Sequence, residues 1–232
     1  MMQFRLSKLL SFNAGYVDTA SFLALHGLFS AHVTGNFVTL GAALVSESQT
    51  GAWAKLAALP MFCITVLSVK LLDQKFVRHQ NSSYAFFLKL MFLLFSIVAV
   101  CSYFYLPFPK YDTIMSFTVG MLLVAAMAIQ NAMHRIHWTK ESPTTVMTGA
   151  TTQLMLNISE LFSKPSQEKR LQIRQSIVAI FTTMLSFALG CAVAAIVYKF
   201  ALLWLFLLPP VLLLMIYINR DNYKKSLGFD RS

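Results

Sequence analysis

Asp18 lies within a long apolar stretch and is the only acidic residue that falls well inside a segment apolar enough to cross a membrane. A charge at that depth costs roughly 2.5–3.5 kcal/mol on insertion scales, so an intramembrane carboxylate is a functional residue by default. Its chemistry would be to hold a proton or a cation, or to anchor a polar solute. The plainer reading is a structural carboxylate satisfied by the hydroxyls of Thr19 and Ser21, or turned toward Thr34.

Thr34, Gly35 and Asn36 open a short apolar run at 33–46, "VTGNFVTLGAALVS". Thr caps a helix N-terminus, Gly lets the backbone turn or approach a ligand, and Asn both donates and accepts. A helix that starts inside a membrane presents free amides and a partial positive charge. Thr148 and Gly149 repeat the pattern in the Thr-rich stretch 144–162, "TTVMTGATTQLMLNISELF". Gln130 and Asn131 occupy positions that match Asp18, and are candidates to line the same cavity. Two such helix ends meeting near the midplane would favour a small anion or a polar neutral solute. The bland alternative is that the caps merely satisfy backbone groups that lipid cannot.

His26, His32, His134 and His137 flank the two short runs. Imidazoles titrate near neutrality and are candidate proton relays, although histidines at helix ends are more often interfacial. No tight Cys/His cluster exists, and Cys63, Cys101 and Cys191 are far apart in apolar surroundings, so no metal, cofactor or disulfide framework is expected. HExxH, paired carboxylates and nucleotide loops are also lacking, which argues against an enzyme.

The elements that must position these residues are membrane helices. Of the 232 residues 57% are hydrophobic and 12% charged, with 20 Phe, against about 25% charged in soluble domains. Six stretches are about 20 residues long and apolar, at roughly 9–29, 53–72, 85–106, 113–133, 175–198 and 200–219. Pro209 and Pro210 are expected to kink the sixth. The start of the chain reads as a retained first helix, because Asn13 and Asp18 interrupt the run and no convincing cleavage site follows. Trp53, Tyr111 and Trp138 read as interfacial anchors, and "KPSQEKRLQIR" at 164–174 as a solvated linker that meets lipid headgroups.

Charge decides the topology. The net charge is +10, which on a soluble domain would suggest nucleic acid. Here the basic residues sit between apolar runs, where they orient the chain and meet anionic lipid. With the N-terminus inside and both short runs re-entrant, only Lys55, Lys110 and Lys199 of the 19 Lys and Arg face outward. Letting 33–46 cross alone would send Lys70, Lys75 and Arg78 to the outer side. Six spans with both termini cytoplasmic is the better arrangement.

The two halves share an order of elements. Asp18 precedes Thr34 by 16 positions and Asn131 precedes Thr148 by 17. Each half reads span, short Thr-Gly helix, span, span. Three spans per half invert the second copy, and inverted repeats with short, glycine-interrupted helices point to a transport site.

At these residues the chain resembles the YoaK-like family of bacterial membrane proteins, a family of unknown function. The likeness rests on "GYVDTASFLALHGLFSAHVTGNFVTLGAAL" at 15–44 and, more weakly, on "AIQNAMHRIHWTKESPTTVMTGATTQL" at 128–154. Ala150 stands where the first motif has Asn36, and the second span lacks small-residue positions as clear as Gly190 and Ala194. The resemblance implies a small six-helix protein of the bacterial cytoplasmic membrane and brings no substrate with it.

The expectation is therefore an all-α membrane protein of one polytopic domain, with repeats at about 9–106 and 113–219 and a cytoplasmic tail at 220–232. Its partners would be the lipid bilayer and a small-molecule solute, not nucleic acid. Gly190-x-x-x-Ala194 would serve packing between the halves or, less favoured, a homo-oligomer contact. The function it suggests is a transporter or channel for a small polar or weakly acidic solute, with proton coupling through Asp18. The alternative is a non-transporting interaction or regulatory protein.

Overall fold

The computed structural model describes residues 3–45, 51–78, 83–109, 111–137, 144–145, 147–163 and 165–219. The described residues form eight α-helices and no strands: α1 Gln3–Ala24, α2 Gly35–Val45, α3 Ala52–Arg78, α4 Tyr84–Tyr105, α5 Ile114–His137, α6 Met147–Phe162, α7 Gln167–Phe200 and α8 Leu208–Ile218. Trp138, Lys110, Lys140, Lys164, Val146 and the expected tail at 220–232 lie outside them. Trp53 and Tyr111 are exposed.

Four helices, α3, α4, α5 and α7, are long and apolar enough to cross a membrane. Their outward faces carry Ile64 and Leu67 on α3, Leu93 and Val100 on α4, and Phe181 and Leu189 on α7, all exposed. Such a continuous apolar exterior is tolerable in lipid and not in water. The protein is thus an integral, multi-helix membrane protein.

Helix α1 is different. It is enclosed by its neighbours, with Leu10, Ser11, Asn13, Ala14, Tyr16, Val17, Asp18, Ala20 and Ser21 all buried. It packs most extensively on α7 and also touches α5 and α8. Glycines set the α1–α7 distance. A methyl at Gly15 would overlap the carbonyl of Phe187, and one at Gly190 would overlap that of Phe12. With Ala194 also fully buried, Gly190-x-x-x-Ala194 serves internal packing in this fold. The main remaining contacts between α-helices join α3 to α5, α4 to α5 and α8, α2 to α3, and α6 to α7.

Local chemistry explains where the helices begin. Thr113 and Ser116 cap α5 reciprocally, Ser116 N donating to Thr113 Oγ1 at 3.0 Å and Thr113 N to Ser116 Oγ at 3.1 Å. Ser166 caps α7 by accepting from Lys169 N. The expected linker at 164–174 is therefore mostly helix. Its residues from Gln167 onward form the polar first turns of α7, tied back to α6 by the Lys169–Glu160 ion pair.

The sixth expected span is not one kinked helix. Helix α7 stops at Phe200, a 3₁₀ turn runs Leu202–Trp204, and α8 starts at Leu208. Pro209 and Pro210 fall in the first turn of α8, where missing N–H groups cost little within that helix. The carbonyl of Leu205 nevertheless loses the donor that residue 209 would have supplied. Tyr16 replaces it, its hydroxyl donating to Leu205 O at 2.6 Å in a buried position.

Candidate functional site

The site begins where α1 ends. Leu25 N still donates to Ser21 O, and Gly27 N reaches back to Phe22 O. His26 and Gly27 then adopt positive φ values of 54° and 84°, the left-handed conformation that ends a helix and reverses the chain. Gly27 takes it without penalty, whereas His26 carries side-chain strain. His26 is held by a 2.7 Å contact between Nε2 and Pro109 O.

After the reversal, residues 29–31 run back beside α1 without backbone hydrogen bonds of the helical kind. Two side chains supply what the backbone lacks. Asp18 Oδ1 accepts from Ala31 N at 2.7 Å and, more weakly, from His32 N at 3.4 Å. Asn36, in the first turn of α2, accepts from Phe29 N and donates to Phe29 O, both at 2.8 Å. Ser21 Oγ bridges to Ser30 Oγ at 3.1 Å. The need being met is that of peptide groups at membrane depth, which must find partners within the protein.

The second oxygen of Asp18 is used differently. Asp18 Oδ2 meets His32 Nδ1 at 2.6 Å, the length of a charge-assisted hydrogen bond. The Asp18 side chain is 5% exposed and that of His32 37%, so the imidazole is the more accessible of the two groups. The His32 ring stands edge-on to Phe187 of α7, with centroids 5.7 Å apart.

A second polar contact joins α1 to α5. Asn13 Nδ2 donates to Gln130 Oε1 at 3.1 Å, and Gln130 Nε2 donates to Leu10 O at 2.9 Å. Asn13 Oδ1 and Ser11 Oγ, close by on α1, are buried and lack a hydrogen-bond partner among the described residues. Buried acceptors of this kind call for a donor, such as an ordered water or a polar solute.

The fold brings only some of the expected site residues together. Asp18, His32 and Asn36 converge on the folded-back segment. Gln130 meets Asn13 rather than Asp18, and Asn131 lines a separate groove with Phe62, Val66, Lys70 and Arg135. Thr34 is exposed and Gly35 half-buried at the start of α2, whose first turn closes through Gly35 N to His32 O and Phe37 N to Thr34 O. Thr148 and Gly149 are exposed on α6, and a methyl at Gly149 would meet nothing within 4 Å. His134 is buried on α5. Helix α2 packs on α3 and α6 on α7, so the two short helices are attached to different partners. His26 lines a cavity of about 470 Å³ with Leu25, Trp53, Asp112, Ser116 and Phe117, at the N-terminal ends of α3 and α5.

Sequence reasoning missed Asp73, which lies one residue beyond the expected second span. The helix continues to Arg78, and Asp73 is buried. Its Oδ1 accepts from Ser83 Oγ at 2.5 Å and lies 3.1 Å from His137 Nε2, which is also 3.2 Å from Ser83 Oγ. A relay of the Ser-His-Asp kind uses both imidazole nitrogens, one for each partner. Here a single nitrogen faces both oxygens, so the trio ties α3 and the start of α4 to the end of α5.

Comparison with known proteins agrees with the helical membrane architecture. The family described as "Protein of unknown function (DUF1275)" matches residues 6–219. The chain is 28% identical over 194 residues to the "UPF0700 transmembrane protein YoaK" of Bacillus subtilis, a match covering 82% of each protein. No solved structure matches the chain.

Proposed function

The chain belongs to the DUF1275 family, and we propose that it is a proton-coupled carrier for a small polar or weakly acidic solute, built from two inverted repeats. In this reading α1, α3, α4, α5, α7 and α8 cross the bacterial cytoplasmic membrane, α8 together with the 3₁₀ turn before it. Helices α2 and α6 are re-entrant, and both termini are cytoplasmic. The protein binds and moves its solute without catalysing a reaction.

The observation that carries the reading is the set of packed helix pairs. Exchange α1–α4 for α5–α8 and every such pair falls on another: α1 with α7 becomes α5 with α3, α2 with α3 becomes α6 with α7, and α4 with α5 becomes α8 with α1. The α1–α5 and α4–α8 contacts map onto themselves. A pseudo-two-fold relation between halves explains this closure, and carriers of that design hold their site at the repeat interface. The α1–α5 contact is that interface, and it carries the Asn13–Gln130 pair with the unpartnered Asn13 Oδ1. Asp18 lies on the same helix, with His32 as its more exposed partner for proton exchange.

One observation favours the competing reading of a non-transporting interaction protein. Asp18 and Asn36 each satisfy backbone groups of the folded-back segment, a structural task that needs no solute. Uptake into proteoliposomes separates the two. Small anions, weak acids and neutral polar solutes would be scanned with and without a pH gradient, for the wild type, Asp18→Asn and His32→Gln. The carrier reading expects gradient-driven uptake of at least one solute, lost in Asp18→Asn while the fold is retained. Absence of flux for every solute, or flux indifferent to the gradient and to both changes, returns the interaction protein.

A further inference from the structure

We propose that the groove between α3 and α5 binds one anionic phospholipid, its phosphate held by Lys70 and Arg135 and an acyl chain lying along Phe62, Val66, Ala132 and Ile136. The groove has a volume of about 330 Å³, and these six residues line it together with Asn131.

Three features assign the ligand chemistry. The first is charge: Lys70 and Arg135 are both exposed, and no acidic residue lines the groove. Asp73, the nearest acid along α3, is buried and committed to Ser83 and His137. The second is the wall. Apart from Asn131 and the two cationic residues the lining is apolar, and Ile64 and Leu67 beside it on α3 are exposed to the bilayer. A ligand here must offer hydrocarbon as well as an anion, which excludes a freely soluble phosphate or carboxylate. The third is depth. Helix α3 has 27 residues, about 40 Å of helix against a hydrocarbon core of about 30 Å. Lys70 lies in its C-terminal third, followed by Lys75 and Arg78, and Arg135 in the last turn of α5. Both cations therefore lie toward the same, basic end of the two helices, where long side chains can extend to the level of a lipid headgroup. Asn131, one helical turn before Arg135, can donate to a phosphate or glycerol ester oxygen.

The test uses the full chain in a mild detergent, titrated with phosphatidylglycerol and with phosphatidylcholine of the same acyl chains, the retained lipid being read by native mass spectrometry. The wild type is expected to keep one phosphatidylglycerol in preference. The double change Lys70→Gln with Arg135→Gln is expected to weaken its retention about 30-fold, the equivalent of roughly 1 kcal/mol per basic residue. Val66→Trp fills the groove and leaves the charges in place; it is expected to expel the lipid as well, and decides the matter should the double variant not fold. Equal retention of the two lipids, or full retention of phosphatidylglycerol by folded variants, would overturn the proposal. So would displacement of the lipid by inorganic phosphate at equal concentration, which would indicate a soluble-anion site.

Discussion

The Asp18 carboxylate is divided between two tasks, one oxygen accepting from the backbone N–H of Ala31 at 2.7 Å and the other meeting the imidazole of His32 at 2.6 Å. The first is structural and the second joins two ionisable side chains, so substitutions can separate them. Asp18→Asn keeps a carbonyl oxygen for Ala31 N–H and removes the charge. Asp18→Ala removes both and leaves a buried amide without a partner, at a cost of about 1–3 kcal/mol. Thermal unfolding in detergent should rank the wild type and Asp18→Asn together, with Asp18→Ala clearly lower. Equal loss in both variants would mean that the charge itself holds the fold.

Asn36 provides a complementary case, because it both accepts from and donates to the peptide groups of Phe29. Asn36→Asp has nearly the same shape, yet a carboxylate cannot donate to Phe29 O and would face that carbonyl with negative charge. It should cost more than the about 1 kcal/mol of an ordinary hydrogen bond, and limited proteolysis should cut first within 28–34. Unchanged proteolysis would show that Asn36 does not hold this segment.

Tyr16 and Pro209 should be energetically coupled. Pro209 denies Leu205 O its helical donor, and the Tyr16 hydroxyl fills the place. Tyr16→Phe should therefore cost about 1–3 kcal/mol, the penalty of a buried unsatisfied carbonyl. Pro209→Ala offers Leu205 O a backbone N–H again, and in that background the same change should cost far less. A double-mutant cycle measures the difference directly, and additivity of the two changes would refute the coupling.

Four helical glycines form two contrasting pairs that one substitution distinguishes. Gly15→Ala and Gly190→Ala place a methyl against a carbonyl of the facing helix, so α1 and α7 must separate. The expected cost of each is in the upper part of the overpacking range of about 1–3 kcal/mol, or beyond it. Gly41→Ala and Gly149→Ala meet nothing within 4 Å and should be neutral or slightly stabilising. Stability measured in one detergent for all four tests the contrast.

Much of the helical frame was legible because hydropathy and length report directly on membrane helices. The spans expected at 53–72, 85–106 and 113–133 fall on α3, α4 and α5 and start within a residue of each, although α3 and α5 run on past the expected ends to Arg78 and His137; the two short runs correspond to α2 and α6. The break between α7 and α8 was not legible, since residues 201–207 are as apolar as their surroundings and hydropathy says nothing of where a backbone turns. Asp73 was overlooked because the apolar run ends before the helix does. Within the candidate site, the polarity of Asp18 and Asn36 marked them early, but their partners did not follow from it. His32 comes to Asp18 only because the chain reverses at His26 and Gly27, and Gln130 finds Asn13 across 117 positions of sequence. Such pairings are products of packing.

The close seating of α1 on α7 also has a consequence for how the protein is made. The ribosome releases α1 well before α7, whose glycine-bearing face covers it and is synthesised more than 160 residues later. Throughout that interval Gly15 lacks its facing carbonyl of Phe187, and Asn13 waits for Gln130 until α5 is made, on a helix that is not among the four most clearly suited to enter lipid unaided. Shelter of α1 by the insertion machinery until α7 is made is the expected consequence. A nascent chain stalled before Gly190 should remain crosslinkable to that machinery through α1, and release of the stall should end the contact.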